Sequence, residues 1–188
     1  MFNFLTKGIT KIFGTKSEKD VKALNPLVSA TNQEFEKLHG LSNDQFRQKT
    51  IDLKQHIADK LAHIDNEIND LKSKAENNPD LAVDEKEVIF KQIDELGLKR
   101  NEELEVVLLD ILPQAFAIVK ETARRFKNNE KLEVTASMLD RELAMQKSHI
   151  EIVGDKAYWK NEWLAAGNLV KWDMEHYDVQ IIGGAALH

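Results

Sequence analysis

The strongest pattern along the chain is a series of apolar residues, mostly three or four positions apart, between residues 46 and 71. The series consists of Phe46, Leu53, Ile57, Leu61, Ile64, Ile68 and Leu71. This spacing places them on one side of a long helix. Gly40 provides a stop before it and Ser42 a new N-cap, and the stretch ENNPD ends it. A second apolar series from Asp84 to Asp110 predicts a return helix, so the two form a long antiparallel helical hairpin.

Two prolines divide the remaining helical pattern. We expect Pro26 to break the amino-terminal region, with a second helix running from Leu27 to Leu38. Pro113 suits the first turn of a further helix, whose sequence LPQAFAIVKETARRF is the most core-like of the chain. KNNEK ends that helix, and Met138 to Gln146 is predicted as another short helix.

The pattern changes after residue 147. All three tryptophans lie beyond this point, among Gly-Asp and Gly-Asn turn signals, and we predict a small hairpin or loop there. The tryptophans could stack a base or a sugar. Aromatic residues in a turn-rich segment more often form a small core of their own.

Charge separates the first 24 residues from the rest. They combine Phe2, Leu5, Ile9 and Ile12 at helical spacing with five lysines and only two acidic residues. This pattern predicts a basic amphipathic helix, which would lie on anionic lipid, in the groove of a partner, or against its own protein. The whole chain has a net charge of −6, which argues against nucleic-acid binding.

Composition also narrows the location and the chemistry. The chain has no cysteine, which fits a reducing compartment and makes the cytoplasm the expected location. No apolar run reaches the length of about 18 to 20 residues that a membrane-spanning helix needs. GTKS at positions 14–17 lacks the spacing of a phosphate-binding loop, and His56, His63 and Glu67 lack the close pairing typical of metal ligands. We therefore expect no catalytic and no metal-binding residue in this chain.

Three stretches resemble segments of SecA, the family of ATP-driven motors of bacterial protein export, in the same order. LPQAFAIVKETARR is similar to the family's LPEAFAVVREAARR, and MEHYDVQIIGGAALH to its M-x-H-F-D-V-Q-L-x-G-G segment. The first residues and LSNDQFRQKTIDLKQHI resemble the family's opening helices. The resemblance implies a mainly α fold, whose amino-terminal helices and long hairpin lead into the start of a RecA-like α/β P-loop motor domain, truncated before the phosphate loop.

The resemblance also implies a division into segments, in which two stretches look like lineage-specific insertions. The predicted segments are the basic helix 1–24, the opening helices of the motor domain 25–58, an inserted hairpin arm 59–103, a core helix 104–126, an aromatic-rich second insertion 127–173, and an adenine-recognition motif 174–188.

Members of the SecA family bind ATP with magnesium and push preproteins through the SecYEG channel, working in the cytoplasm and on the cytoplasmic face of the inner membrane. The resemblance therefore implies the channel, preproteins and anionic phospholipids as partners and allows a homodimer, while the net charge of −6 leaves no expected role for nucleic acid. By position, Gln180 is the glutamine that selects adenine, since an amide can accept from N6 and donate to N7, and Met174 lines the adenine pocket. The fragment alone should be inactive. The alternative is a freestanding helical adaptor without catalysis.

Gly183 and Gly184 are costly in an isolated helix, so their presence indicates close backbone packing. In an intact motor the expected partner is the parallel sheet that bears the phosphate loop. Val179, Ile181 and Ile182 would then have no core in this chain, and we expect residues 179–187 to be poorly ordered.

Overall fold

The computed structural model describes residues 16–78 and 80–187, with side chains from Lys22 onward. In this part of the chain, helices α1 to α3 come first, strands β1 to β5 with the short α4 follow, and α5 is last. Their bounds are α1 Lys16–Leu38, α2 Asn43–Glu76, α3 Val83–Asn128, β1 Lys131–Thr135, α4 Met138–Ala144, β2 Ile150–Val153, β3 Lys156–Lys160, β4 Glu162–Ala165, β5 Asn168–Lys171 and α5 Asp178–Leu187. The predicted mainly α fold is confirmed.

The chain divides into two compact units. The hairpin unit, Arg47–Leu112, contains most of α2 and the first part of α3. The core unit consists of the residues up to Phe46 and those from Pro113 onward.

The hairpin unit has the predicted antiparallel seam. Its buried apolar side chains are Leu61, Ile64, Ala75, Ile89 and Ile111. Across the seam Arg100 forms an ion pair with Asp65, its Nη2 donating to Oδ2 at 3.2 Å. This hydrogen bond from Arg100 holds the pKa of Asp65 below its ordinary value. The periodic apolar residues therefore lie where the sequence pattern predicts.

The predicted N-cap of α2 is also confirmed. Ser42 Oγ accepts from the Gln45 backbone N–H at 3.2 Å, and Gln45 Oε1 accepts from the Ser42 N–H at 2.9 Å. This reciprocal pair satisfies two backbone donors that a helix start would otherwise leave open.

The two predicted helix breaks at proline are wrong. Pro26 lies inside α1, and Pro113 lies inside α3, which continues without interruption from Val83 to Asn128. A proline inside a helix removes one hydrogen bond to the carbonyl four residues earlier. Lys22 and Leu109, which carry these carbonyls, are exposed, so water can satisfy the freed oxygens. The predicted segment boundaries at 24/25 and 103/104 accordingly fall within helices.

The segment after α3 contains more β structure than the sequence pattern predicts. Strands β1, β3 and β2 form a three-stranded antiparallel sheet in that order, with Leu132 and Ile150 both opposite Trp159. Strands β4 and β5 form a separate hairpin. The turn signals were correct, since Gly154 and Gly167 have positive φ of 61° and 82°. The small hairpin or loop of the prediction is thus two sheets, and β1 was missed because KLEVT alternates over only five residues.

A short capped helix connects the strands of the larger sheet. Helix α4 begins after Ser137, which forms a capping box with Asp140. The Asp140 carboxylate also accepts from Trp159 Nε1 at 3.0 Å. The prediction of a helix from Met138 is confirmed, and its cap ties the helix to β3.

The core unit is centred on the contact between α1 and the last part of α3. Phe35, Leu38 and Ala117 are its buried centre, with Leu41, Phe46 and Ile118 packed around them. Ala117 has no exposed surface.

A buried charge cluster completes this contact. The Glu121 side chain is fully buried and accepts hydrogen bonds from Arg124 and Arg125 at 2.7 to 2.8 Å. Arg125 also donates to three groups in and after α1, namely Leu38 O, Leu41 O and Asn43 Oδ1. Burial acts to raise the pKa of Glu121, but the hydrogen bonds from both guanidinium groups outweigh it and lower that pKa.

Candidate functional site

The segment that carries the predicted adenine-recognition residues folds as an extended stretch followed by α5. Helix α5 contacts α1, and Ile181 on its inner face is only 4% exposed. Val179 is 69% exposed. The expectation that this segment lacks a core is therefore wrong for Ile181, because α1 and α3 supply one.

The double glycine has two different environments. A Cβ on Gly184 would lie 3.2 Å from the Phe116 ring of α3, whereas one on Gly183 would meet nothing within 4 Å. The predicted close packing is confirmed for Gly184 only. In this chain the neighbour of Gly184 is the Phe116 side chain.

Three polar side chains connect the start of α5 to α1 and α3. Asp178 Oδ1 accepts from Asn32 Nδ2 at 3.1 Å, and Lys120 Nζ lies 3.8 Å from the same oxygen. Lys120 also donates to Asn32 Oδ1 at 2.8 Å and lies 4.8 Å from the centre of the Phe35 ring. A carboxylate in the first turn is favourable at a helix N-terminus. This clamp, formed by Asn32, Lys120 and Asp178, links the first turn of α5 to α1 and α3.

Gln180 lies in the first turn of α5, and its side chain is exposed. Its Oε1 accepts from the backbone N–H of Tyr177 at 2.8 Å. Because that partner is a donor, the bond fixes which end of the amide is oxygen. The same oxygen retains a second lone pair, and the amide nitrogen can still donate. The arrangement therefore leaves Gln180 chemically able to pair with an adenine edge.

Met174 precedes α5 in the extended stretch and is half-buried. Its carbonyl oxygen accepts from Trp172 Nε1 at 2.9 Å, which orders the backbone at this point. The Oε2 atom of the neighbouring Glu175 lies 3.8 Å from Lys127 Nζ.

A cleft of about 550 Å³ lies beside the same segment. It is lined by Lys120, Lys127 and residues 175–179. Gln180 and Met174, the two residues expected to contact adenine, lie outside this lining. Both lysines have acidic neighbours, Asp178 and Glu175 respectively, so the cleft has mixed charge.

Sequence reasoning missed the clamp residues Asn32, Lys120 and Asp178. A signal for two of them was present, because Lys120 belongs to LPQAFAIVKETARR and Asp178 to MEHYDVQIIGG. The pairing itself joins positions 146 residues apart, which no local pattern indicates.

Among residues 16–78 and 80–187, no group of His, Asp or Glu is arranged to hold a metal ion, and His63 Nε2 lies 3.2 Å from Glu103. Within that part of the chain no helix is long and apolar enough to cross a membrane.

Comparison with known proteins identifies the class and then the family. Residues 9–188 match the model of the SecA DEAD-like domain. The chain therefore belongs to the SecA family. No solved structure is a significant match to the chain.

Curated relatives agree with the family match over nearly the whole chain. Protein translocase subunit SecA of Cytophaga hutchinsonii is 53% identical over 180 residues, which are 96% of this chain and 16% of that protein. The same subunit of Amoebophilus asiaticus is 51% identical over 184 residues, 98% of this chain and 16% of that protein. The same subunit of Phocaeicola vulgatus is 46% identical over 181 residues, which are 96% of this chain and 16% of that protein. The chain thus spans about a sixth of the length of these relatives.

Proposed function

We propose that this chain is the amino-terminal part of a SecA translocase motor, which couples ATP hydrolysis to the transport of preproteins through the SecYEG channel. The observation that carries the proposal is the match to the SecA DEAD-like domain over residues 9–188. The named activity of the relatives, protein translocase subunit, supports it. ATP with magnesium is the proposed cofactor.

Within this proposal Gln180 reads the adenine base. Its amide nitrogen donates to N7, and its oxygen accepts from the N6 amino group while it keeps the bond to the Tyr177 N–H. Guanine has a carbonyl oxygen in place of that amino group, so the pairing would be mismatched. Met174 contributes an apolar wall to the base. The clamp of Asn32, Lys120 and Asp178 supports this reading, because it anchors the turn of α5 on which Gln180 lies.

Catalysis is assigned to parts of the motor beyond these 188 residues. A phosphate-binding lysine, a magnesium-binding acid and an arginine finger are needed for phosphoryl transfer, and the chain contains no P-loop sequence. We expect the purified 188-residue chain to hydrolyse no ATP. Measurable turnover that survives removal of contaminating ATPases would contradict this.

The coding sequence downstream of His188 tests whether this chain is part of a longer motor. The motor requires the reading frame to continue into a phosphate loop of the GEGKT type, and the proposal places that loop within about 20 residues of His188. A stop codon at that point would overturn the proposal and favour a freestanding helical adaptor.

We further propose that the protein works in the cytoplasm and peripherally on the inner membrane, where the basic residues 1–24 contact anionic phospholipid. Most of this segment lies outside the described residues, and its sequence alone supports the assignment. Sedimentation with liposomes should show binding to anionic and not to neutral vesicles. The double substitution Lys7→Glu with Lys11→Glu should abolish it, because each basic residue near the surface contributes about 1 kcal/mol. Unchanged binding would exclude this role.

A further inference from the structure

The central member of the clamp is Asn32, whose side-chain amide joins the other two residues. Its Oδ1 accepts from Lys120 Nζ at 2.8 Å, and its Nδ2 donates to Asp178 Oδ1 at 3.1 Å. An ammonium group can only donate and a carboxylate can only accept, so these partners fix the orientation of the amide. Asn32 therefore connects α3 to the first turn of α5 in one arrangement, and all three residues belong to the core unit.

The direct ion pair between Lys120 and Asp178 is the weaker connection. Its atoms are 3.8 Å apart and the Asp178 side chain is 59% exposed, so solvent screens most of the attraction. The Lys120 side chain is only 12% exposed, and a buried charge needs close partners. Asn32 Oδ1 at 2.8 Å and the Phe35 ring, whose centre lies 4.8 Å from Nζ, are such partners. The connection between α3 and α5 therefore runs mainly through Asn32.

The first turn of α5 has only half of a capping box. In the full motif, a Ser or Thr before the helix accepts from the backbone N–H three residues later, whose side chain bonds back. Here Tyr177 precedes the helix, which begins at Asp178. Gln180 provides the returning bond to the Tyr177 N–H at 2.8 Å, whereas its own N–H donates to the Tyr177 carbonyl at 2.9 Å. The side chain expected to read adenine is thus part of this cap, and the clamp holds the same turn at Asp178.

We infer that Asn32 and Lys120 are positioning residues for the selection of adenine, acting through Asp178. The inference rests on the proposed function, because it needs Gln180 as the reader of the base. Apparent affinity falls with the fraction of the protein that is in the binding-competent arrangement. An amide that pairs with both N6 and N7 needs one orientation, so ATP binding depends on the clamp. Guanine does not match this amide, so GTP binding does not depend on it. Helix α1 thereby contributes to nucleotide selection.

Competition binding of ATP and GTP to a longer protein that contains this chain and its phosphate loop tests the inference. Asn32→Asp is nearly isosteric, keeps an oxygen for Lys120, and replaces the donor to Asp178 by a carboxylate oxygen. We expect it to lower the affinity for ATP at least about fivefold and to leave the affinity for GTP unchanged. Lys120→Met should have the same selective effect. Equal losses for both nucleotides would indicate general damage to the fold and would overturn the inference.

Lys127→Met is the matched control. Lys127 also lies on α3, and its Nζ is 3.8 Å from Glu175 Oε2, the same separation as in the pair of Lys120 and Asp178. Glu175 precedes the first turn of α5. The control lowers the net charge by one, as Asn32→Asp and Lys120→Met do, so it also corrects for a general effect of charge on nucleotide binding. We expect Lys127→Met to leave the preference for ATP unchanged, and a loss equal to that of the clamp variants would contradict the inference.

Gln180→Glu separates this inference from the proposed function. If Gln180→Glu abolishes the preference for ATP while either Asn32→Asp or Lys120→Met retains it, the base is read as proposed and only the positioning role is overturned. If Gln180→Glu leaves the preference unchanged, the proposed reading of adenine is itself wrong. Combining Asn32→Asp with Gln180→Glu should lower the preference no further than Gln180→Glu alone, because both act on one contact. Additive losses would overturn the positioning role.

Discussion

Replacing Arg125 with methionine should destabilise the core unit by about 3 kcal/mol. The side chain is 8% exposed, so methionine retains most of its apolar contact and loses its charge. The change removes the 2.7 Å bond to Glu121 and the bonds to Leu38 O, Leu41 O and Asn43 Oδ1 at 2.7 to 3.1 Å. Removing one partner of a buried ion pair costs about 3 to 5 kcal/mol. Because Glu121 keeps both bonds from Arg124, the lower end applies.

Urea unfolding followed by tryptophan fluorescence measures this loss. All three tryptophans belong to the core unit, so the signal reports that unit and not the hairpin unit. Arg141→Met is the matched control. Arg141 is exposed, and its side chain donates to the Gly154 carbonyl oxygen at 3.1 Å, so this change should cost less than about 1 kcal/mol. A loss of less than about 1 kcal/mol for Arg125→Met, or equal losses for both variants, would refute the assignment of Arg125 as the centre of this cluster.

Three further changes test the packing and the electrostatics of the core unit. The pKa of Glu121 lies below its ordinary value of 4.5, so its stabilisation is present above that pH and is lost as the pH falls through the folded pKa. The urea unfolding free energies of wild type and Glu121→Gln should therefore differ near neutral pH and converge in acid, and a constant difference would contradict this. Gly183→Ala should raise the melting temperature, since alanine in a helix is more stable than glycine by about 1 kcal/mol. Gly184→Ala should raise it less, because the added Cβ would lie 3.2 Å from the Phe116 ring. Equal increases in melting temperature would count against that contact. Ser137→Ala should cost about 1 kcal/mol through loss of the α4 cap, and an unchanged melting temperature would show that the capping box contributes nothing.

The hairpin unit could be predicted from the sequence because its determinants are local. The apolar series from Phe46 to Leu71 repeats at helical spacing, and the Ser42 cap lies directly before it. Such signals need only neighbouring residues. The prolines were misleading, since the cost of Pro26 and Pro113 depends on whether water can reach the freed carbonyls, and that depends on exposure in the folded chain.

The candidate site was only partly predictable. The resemblance placed Gln180 and Met174, but the bond from the Tyr177 N–H to Gln180 depends on where α5 begins. The buried core of Ile181 depends on α1, more than 140 positions earlier in the chain. A glutamate three and four residues before two arginines, in the core-like stretch LPQAFAIVKETARRF, was a usable signal for the Glu121 cluster. The extent of the two sheets was hidden because each strand has only four or five residues.

Nucleotide preference tests the central claim, the reading of adenine by Gln180, most directly. A longer protein that contains this chain and its phosphate loop should be compared with its Gln180→Glu variant in competition binding of ATP and GTP. Glutamate keeps an oxygen for the Tyr177 N–H, so the contact at the start of α5 is preserved, but it loses the amide N–H that would donate to adenine N7. Gln48→Ala, at an exposed position of α2, is the control. A bidentate base contact provides about 1 to 3 kcal/mol of discrimination, or about 5- to 150-fold. The account predicts that wild type and Gln48→Ala prefer ATP by that margin and that Gln180→Glu loses the preference; an unchanged preference in Gln180→Glu would contradict it.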